Sequence, residues 1–181
     1  IAEDRDDFVS RGGHKLAGAL ADFAGIVVAG KRALDAGAST GGFTDVLLRN
    51  DVREVVAVDV GYGQLAWELR QDPRVTVLDR TNVRHLTLDN IGEPVEMVVA
   101  DLSFISLTLV LPAFVAVTTP DADFVVMVKP QFEVGREKLG AGGVVRDPVL
   151  RLGAIEEVAR SAWEVGLGVA GVTASPLPGP S

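Results

Sequence analysis

A chain of 181 residues, 48% apolar and 23% charged, is long enough to bury one core and has the make-up of a globular domain. Cysteine is absent, which excludes disulfides, thiolate metal sites and every cysteine-nucleophile mechanism, and suits a reducing cytoplasm. A net charge of −8 excludes a generic nucleic-acid-coating surface but leaves room for a local basic site.

The opening stretch Ile1–Asp7 is acidic and lacks the character of a signal peptide. The spacing of apolar residues then predicts a helix over Gly13–Phe23, a strand over Ala33–Ala36, a helix over Phe43–Arg49 and a strand over Val55–Val60. A helix over Gly63–Gln71 and strands over Val75–Leu78 and Met97–Asp101 follow. Next come a helix over Leu107–Val117, a strand over Phe124–Lys129, a helix over Leu150–Val165 and a strand over Val169–Ala174. The longest apolar run, Phe104–Val117, is broken by Pro112 and is too short to span a bilayer. Basic residues gather at Arg11–Lys15 and along Lys129–Lys138, groupings that solvated surface also produces. Ser175–Ser181 is loop chemistry, so the chain is expected to be one domain of a longer protein.

Alternating strands and helices, with nearly continuous apolar strands, predict an α/β fold: a doubly wound, mostly parallel, Rossmann-like sheet covered on both faces. Functional groups of such a sheet belong at the carboxyl ends of its strands. Asp35, Asp59, Asp79, Asp101 and Lys129 stand at five of those ends. One or two would be ordinary helix caps; five along one edge describe a lined cleft.

The segment Leu34-Asp35-Ala36-Gly37-Ala38-Ser39-Thr40-Gly41-Gly42-Phe43 passes from a strand through a glycine-rich turn into a helix. Glycine lets backbone approach a ligand, and the helix start offers free N–H groups. The order is D-x-G-x-x-x-G, not the dinucleotide G-x-G-x-x-G. An acid at Asp35 disfavours a pyrophosphate there and suits a ligand with a positive amino group, such as S-adenosylmethionine; a plain tight turn is the competing reading. Asp59 ends the second strand about 20 residues on, where an acid accepts hydrogen bonds from ribose hydroxyls, unless it merely caps the helix near Gln64. Asp79-Arg80-Thr81-Asn82 either frames an adenine edge or forms an ordinary Asx turn. The cofactor is thus expected at Asp35, Gly37, Ala38, Ser39, Thr40, Gly41 and Phe43, at Asp59 and Val60, at Thr81 and Asn82, and at Asp101 and Leu102.

Catalysis is expected from Lys15, Asp101 and Lys129. Asp101 and Lys129 each close a very apolar strand, and lysine is seldom buried without a partner. A structural Lys129–Asp101 ion pair is the bland alternative, and Lys15 alone would be a surface residue. Methyl transfer is an in-line displacement that needs a positioned nucleophile. A ribose hydroxyl is a weak acid, so its methylation calls for a base or strong electrostatic help, which two lysines and an aspartate can supply.

These residues resemble the hemolysin A-like ribosomal RNA 2′-O-methyltransferases, a branch of the FtsJ-type ribose methyltransferases. The resemblance is carried by Ser10-Arg11-Gly12-Gly13-His14-Lys15-Leu16, the Leu34–Thr44 turn, Asp59-Val60-Gly61-Tyr62-Gly63-Gln64-Leu65, Ala100–Ser106, Val128-Lys129-Pro130-Gln131-Phe132-Glu133 and Ala174–Ser181, in the expected order. It implies a class I S-adenosylmethionine-dependent enzyme with a Lys-Asp-Lys-Glu tetrad, of which Lys15, Asp101 and Lys129 match the first three members. The glutamate and a last strand are expected beyond Ser181, and an amino-terminal S4-type RNA-binding domain before Ile1. It further implies a cytoplasmic enzyme acting on a cytidine of ribosomal RNA within ribosomal subunits, with neither metal nor membrane as a partner. The haemolytic phenotype in the family name is expected to be indirect, since the sequence has no spanning segment.

Three other classes compete. An NAD-dependent oxidoreductase is disfavoured by the missing G-x-G-x-x-G. A small-molecule or amine methyltransferase would be expected to carry an Asp-Pro-Pro-Tyr-like loop where this chain has Asp101-Leu102-Ser103-Phe104, and methyl transfer to another RNA or a small molecule stands as the alternative to ribosomal RNA. A membrane-lytic or purely interacting protein has no need of five charged strand ends. Cytosine-C5 methylation is excluded by the lack of cysteine.

Overall fold

The computed structural model describes residues 8–135, 137 and 139–179. The acidic opening, part of the basic run (Arg136 and Lys138) and the final Pro180–Ser181 lie outside the described residues.

Five strands build the sheet: β1 (Arg32–Ala36), β2 (Glu54–Val58), β3 (Val75–Leu78), β4 (Val95–Ala100) and β5 (Thr118–Val126). All pairs are parallel, in the order β3-β2-β1-β4-β5, the doubly wound α/β arrangement expected. The helices are α1 (Gly13–Asp22), α2 (Gly42–Arg49), α3 (Trp67–Arg70), α4 (Leu88–Ile91), α5 (Leu111–Ala116), α6 (Pro130–Glu133) and α7 (Pro148–Glu164).

The two-residue period of each strand sorts its side chains onto two cores. Leu34, Ala36, Val56, Val58, Val98 and Ala100 face the layer holding Leu111, Phe114, Val158 and Ala162. Ala33, Val55, Ala57, Met97 and Val99 face the opposite layer with Leu16, Phe43, Val46 and Leu47. β1 is the central strand and is wholly buried, with Asp35 in register with Ala57 on one side and Val99 on the other. At the opposite, amino-terminal edge, buried Arg32 ties the sheet together through Glu54 and the Ile91 carbonyl.

Four predicted elements differ. Asp35 is the penultimate residue of β1, one short of its end. The helix expected over Gly63–Gln71 shrinks to Trp67–Arg70, because Gly61 and Gly63 begin a loop held by Asp59 and Asp79. β5 starts early and runs through Pro120, with a register shift against β4 between Val95 and Met97; an edge position tolerates proline. It also stops at Val126, so Lys129 stands beyond the strand, at the start of α6. The strand expected over Val169–Ala174 does not form. That stretch lies along α1, with Gly171 beside Phe23 and Thr173 bonded to Asp22, and among the described residues no ladder joins it to the free edge of β5.

Candidate active site

The site begins with the turn between β1 and α2. Gly37 (φ +81°), Ser39 (φ +48°) and Gly41 (φ +106°) all take left-handed backbone. The Gly37 and Ala38 amides donate to the Val58 carbonyl at 2.9 and 3.1 Å, seating the turn over β2. A Cβ at Gly37 would lie 3.1 Å from the Asp101 carbonyl, and one at Gly41 only 2.2 Å from Leu69 Cδ1. The glycines are therefore required by sterics as well as by backbone conformation. Thr40 accepts the Ala66 amide through its carbonyl, and Leu102 packs against Gly37.

Asp59 joins this turn to the next one. Its carboxylate accepts Ser39 N–H at 2.8 Å and Gly61 N–H at 2.7 Å, while Thr81 N–H reaches its carbonyl at 2.9 Å. Val60 is 69% exposed beside it. Thr81 and Asn82 make local bonds: Thr81 Oγ1 donates to the Asp79 carbonyl, and Asn82 accepts Arg84 N–H as the cap of a short 3-10 turn. Asp79 is engaged by Arg70 at 2.6 Å. Here the Asx-turn reading describes what the structure shows.

Beneath the turn lies Asp35, 1% exposed. One carboxylate oxygen accepts Thr44 Oγ1 at 2.7 Å, and the other has no hydrogen-bond partner among the described residues. Burial pushes its pKa up to about 7; Thr44 opposes the rise, and the nearby charges of Asp101 and Asp59 add to it. An orphaned buried oxygen and three neighbouring acids fit a cationic ligand, and they disfavour a pyrophosphate.

The second half of the site is a cluster of Lys15, Asp101 and Lys129. Lys15 Nζ donates to Asp101 Oδ2 at 2.6 Å. Lys129 Nζ stands 2.8 Å from Asp101 Oδ1 and donates to Ser103 Oγ at 2.9 Å. Burial pushes the Asp101 carboxyl up, but the two lysines outweigh it and hold the group below the usual carboxylate range. Two ammonium groups share one carboxylate, so the cluster keeps a surplus of positive charge that a simple ion pair would lack.

Close helix packing delivers Lys15. A Cβ at Gly42, the first residue of α2, would fall 2.6 Å from the Gly13 amide nitrogen at the start of α1. The missing side chain at Gly42 thus lets α1 come near enough for Lys15 to reach Asp101, and Val9 N–H to Asp45 at 2.8 Å secures the approach. A cleft of about 230 Å³ joins the halves, with Gly37, Ala38, Ser39 and Phe43 on one side and Asp101, Ser103 and Lys129 on the other.

Some contributors carried no sequence signal of their own. Ser10 and Gly12 line the cleft. Phe104 is 91% exposed, takes φ +65°, and sets its ring centroid 5.1 Å from that of Phe132, tilted by 52°. A bulky side chain in the left-handed region is strained, and an exposed phenylalanine in the Asp101–Ser106 stretch was the available clue.

Residues 8–181 match the FtsJ-like methyltransferase family. The chain is 62% identical over its whole length to the "16S/23S rRNA (cytidine-2'-O)-methyltransferase TlyA" of Mycobacterium tuberculosis, covering 67% of that protein. It is 37% identical over 95% of its length to "Hemolysin A" of Brachyspira hyodysenteriae, covering 72% of it. A solved Streptococcus thermophilus structure bearing a hemolysin name superposes with a TM-score of 0.92 at 43% identity, over 98% of this chain and 64% of that one. Among the described residues no helix is long and apolar enough to cross a membrane. Matching sequence, fold and ordered motifs agree: the chain belongs to the FtsJ-like methyltransferase family.

Proposed function

We propose that this domain transfers a methyl group from S-adenosylmethionine to the ribose 2′-hydroxyl of a cytidine in ribosomal RNA, within ribosomal subunits in the cytoplasm. The observation that carries the reading is the Lys15–Asp101–Lys129 cluster, whose Asp101 and Lys129 line the same cleft as the glycine turn. The name borne by the M. tuberculosis relative supports the substrate class.

The turn from Gly37 to Gly41, with Asp59 for the ribose and acidic Asp35 beneath, would hold the cofactor, with Val60, Thr81, Asn82 and Leu102 around it. When bound, it supplies an electrophilic methyl group on a sulfonium. The rest of the chemistry belongs to the chain. Lys129, once its amine has given up its own proton to solvent, takes the proton of the 2′-hydroxyl as the oxygen becomes nucleophilic. Asp101 fixes both amines, and Lys15 adds positive charge where the oxygen turns anionic. Exposed Phe104 and half-buried Phe132 offer aromatic faces on which an unstacked base can rest. A glutamate following Ser181 would complete the cluster, and an S4-type domain ahead of this one would supply most of the phosphate affinity.

The test is labelled methyl transfer to isolated ribosomal subunits by the full-length protein, followed by nucleoside mass analysis. Lys129→Ala is expected to lower transfer by about 100-fold or more and to leave cofactor affinity within about threefold. Retained transfer in that variant removes the base assignment. Cofactor binding with no transfer to either subunit moves the substrate to another RNA or a small molecule.

A further inference from the structure

One wall of the site depends on a helix of a single turn. α6 contributes no buried residue, so the hydrophobic core does not anchor it. Three contacts instead hold this segment against the loop that follows β4. At its start, Lys129 meets Asp101 and Ser103 at 2.8 and 2.9 Å. In its middle, Phe132 lies against Phe104. At its end, the Glu133 carboxylate accepts Ser106 Oγ at 2.5 Å and Leu107 N–H at 2.9 Å.

The last contact is well built. A carboxylate only accepts, so Ser106 must donate its hydroxyl proton to Glu133. Ser106 Oγ then receives Thr108 N–H at 3.2 Å and lies 2.7 Å from Thr108 Oγ1. The carboxylate thereby caps the turn leading into α5, and charge-assisted bonds of this kind are the stronger class. Glu133 makes no recorded contact with Lys129, Asp101 or the cleft. It grips the far end of the same loop.

We propose that Glu133 is a positioning residue for methyl transfer. It fastens the loop bearing Asp101, Ser103 and Phe104 to the segment bearing Lys129 and Phe132, and so keeps the lysine amine in register with the substrate hydroxyl. This rests on the assignment of Lys129 given above. Without the clamp, the direct links between the two segments are Lys129 itself and one aromatic contact; α7, which packs against α6 and the Leu107–Leu109 turn, holds them together without fixing Lys129 against Asp101, and Phe104 is free to leave its strained backbone conformation. A misplacement of about 1 Å at a reacting group is worth about 100-fold in rate.

The experiment compares full-length wild type with Glu133→Ala and Glu133→Gln, by steady-state methyl transfer to ribosomal subunits, cofactor affinity and thermal unfolding. Glu133→Ala should lower kcat by about 10- to 100-fold, with KM for RNA and cofactor within about twofold. Glu133→Gln keeps an acceptor for Leu107 N–H and should recover most of that loss. A kcat for Glu133→Ala within twofold of wild type overturns the proposal, as does a loss confined to KM or one that glutamine fails to rescue. Should Glu133→Ala not fold, Ser106→Ala removes one donor and keeps the carboxylate; it should lower kcat about threefold or more, and an unchanged kcat overturns the proposal. Wild type that transfers nothing to RNA would instead count against the functional reading.

Discussion

Asp35 is the residue whose environment departs furthest from its chemistry in water. It sits in the central strand with one oxygen on Thr44 and the other without a partner. Its pKa rises from 3.8 to about 7, chiefly through burial. The native state therefore keeps a proton that the unfolded chain has released above pH 4. The contribution of Asp35 to stability therefore falls as pH rises from about 4 to about 7, and its penalty is complete above that window. Asp101 behaves oppositely, since its lysines favour the charged form and its contribution is lost only as pH falls into the acid range. The expected outcome is that Asp35→Asn flattens the decline in unfolding free energy between pH 4 and 8, measured by denaturant titration at several pH values. An identical decline in wild type and variant would show that Asp35 does not hold the proton. The sequence showed Asp35 as an acid near the end of a buried strand, but it could not show the orphaned oxygen, which depends on which neighbours α2 delivers.

At the scale of elements, legibility followed the strength of local pattern. Central strands dominated by apolar residues and α7 with its helical period were readable to within a few residues, because burial on both faces of the sheet leaves little choice. The missing strand over Val169–Ala174 was not readable, since a strand exists only through its partner and α1 supplies none. The Lys15–Asp101–Lys129 cluster was legible as three separate strand-end or helix-start residues; its assembly depends on the glycine contact between α1 and α2, which no periodicity encodes. Gly42→Ala tests that contact. The added Cβ would press on the Gly13 amide at 2.6 Å, and backbone cannot rotate aside as a side chain does. We expect a destabilisation of about 1–3 kcal/mol, typical of overpacking, with Lys15 drawn away from Asp101. Methyl transfer should fall further than stability explains, read as kcat at a temperature where the variant is fully folded. Full activity in a folded Gly42→Ala protein would show that the approach of α1 does not position Lys15.

For the whole molecule, charge decides how RNA is approached. Acidic residues outnumber basic ones by 25 to 17, so long-range attraction to a polyanion is weak. The acids are also placed against it: Asp35 and Asp59 lie at the glycine turn, while the positive surplus lies with Lys15 and Lys129. Phosphates are thus steered away from the glycine turn and toward the lysine end, where exposed Arg11 precedes α1. This predicts a small electrostatic footprint for the domain by itself. The slope of log affinity against log salt for a ribosomal RNA fragment should be about −1 to −2, the release expected from two or three phosphate contacts at roughly −0.7 each. Arg11→Ala should reduce that slope by about 0.7, and both follow from fluorescence anisotropy over a salt series. A slope steeper than about −4 would require six or more phosphate contacts. That result would mean a basic surface broader than the lysine end, and the division of labour between this domain and a separate RNA-binding module would fall with it.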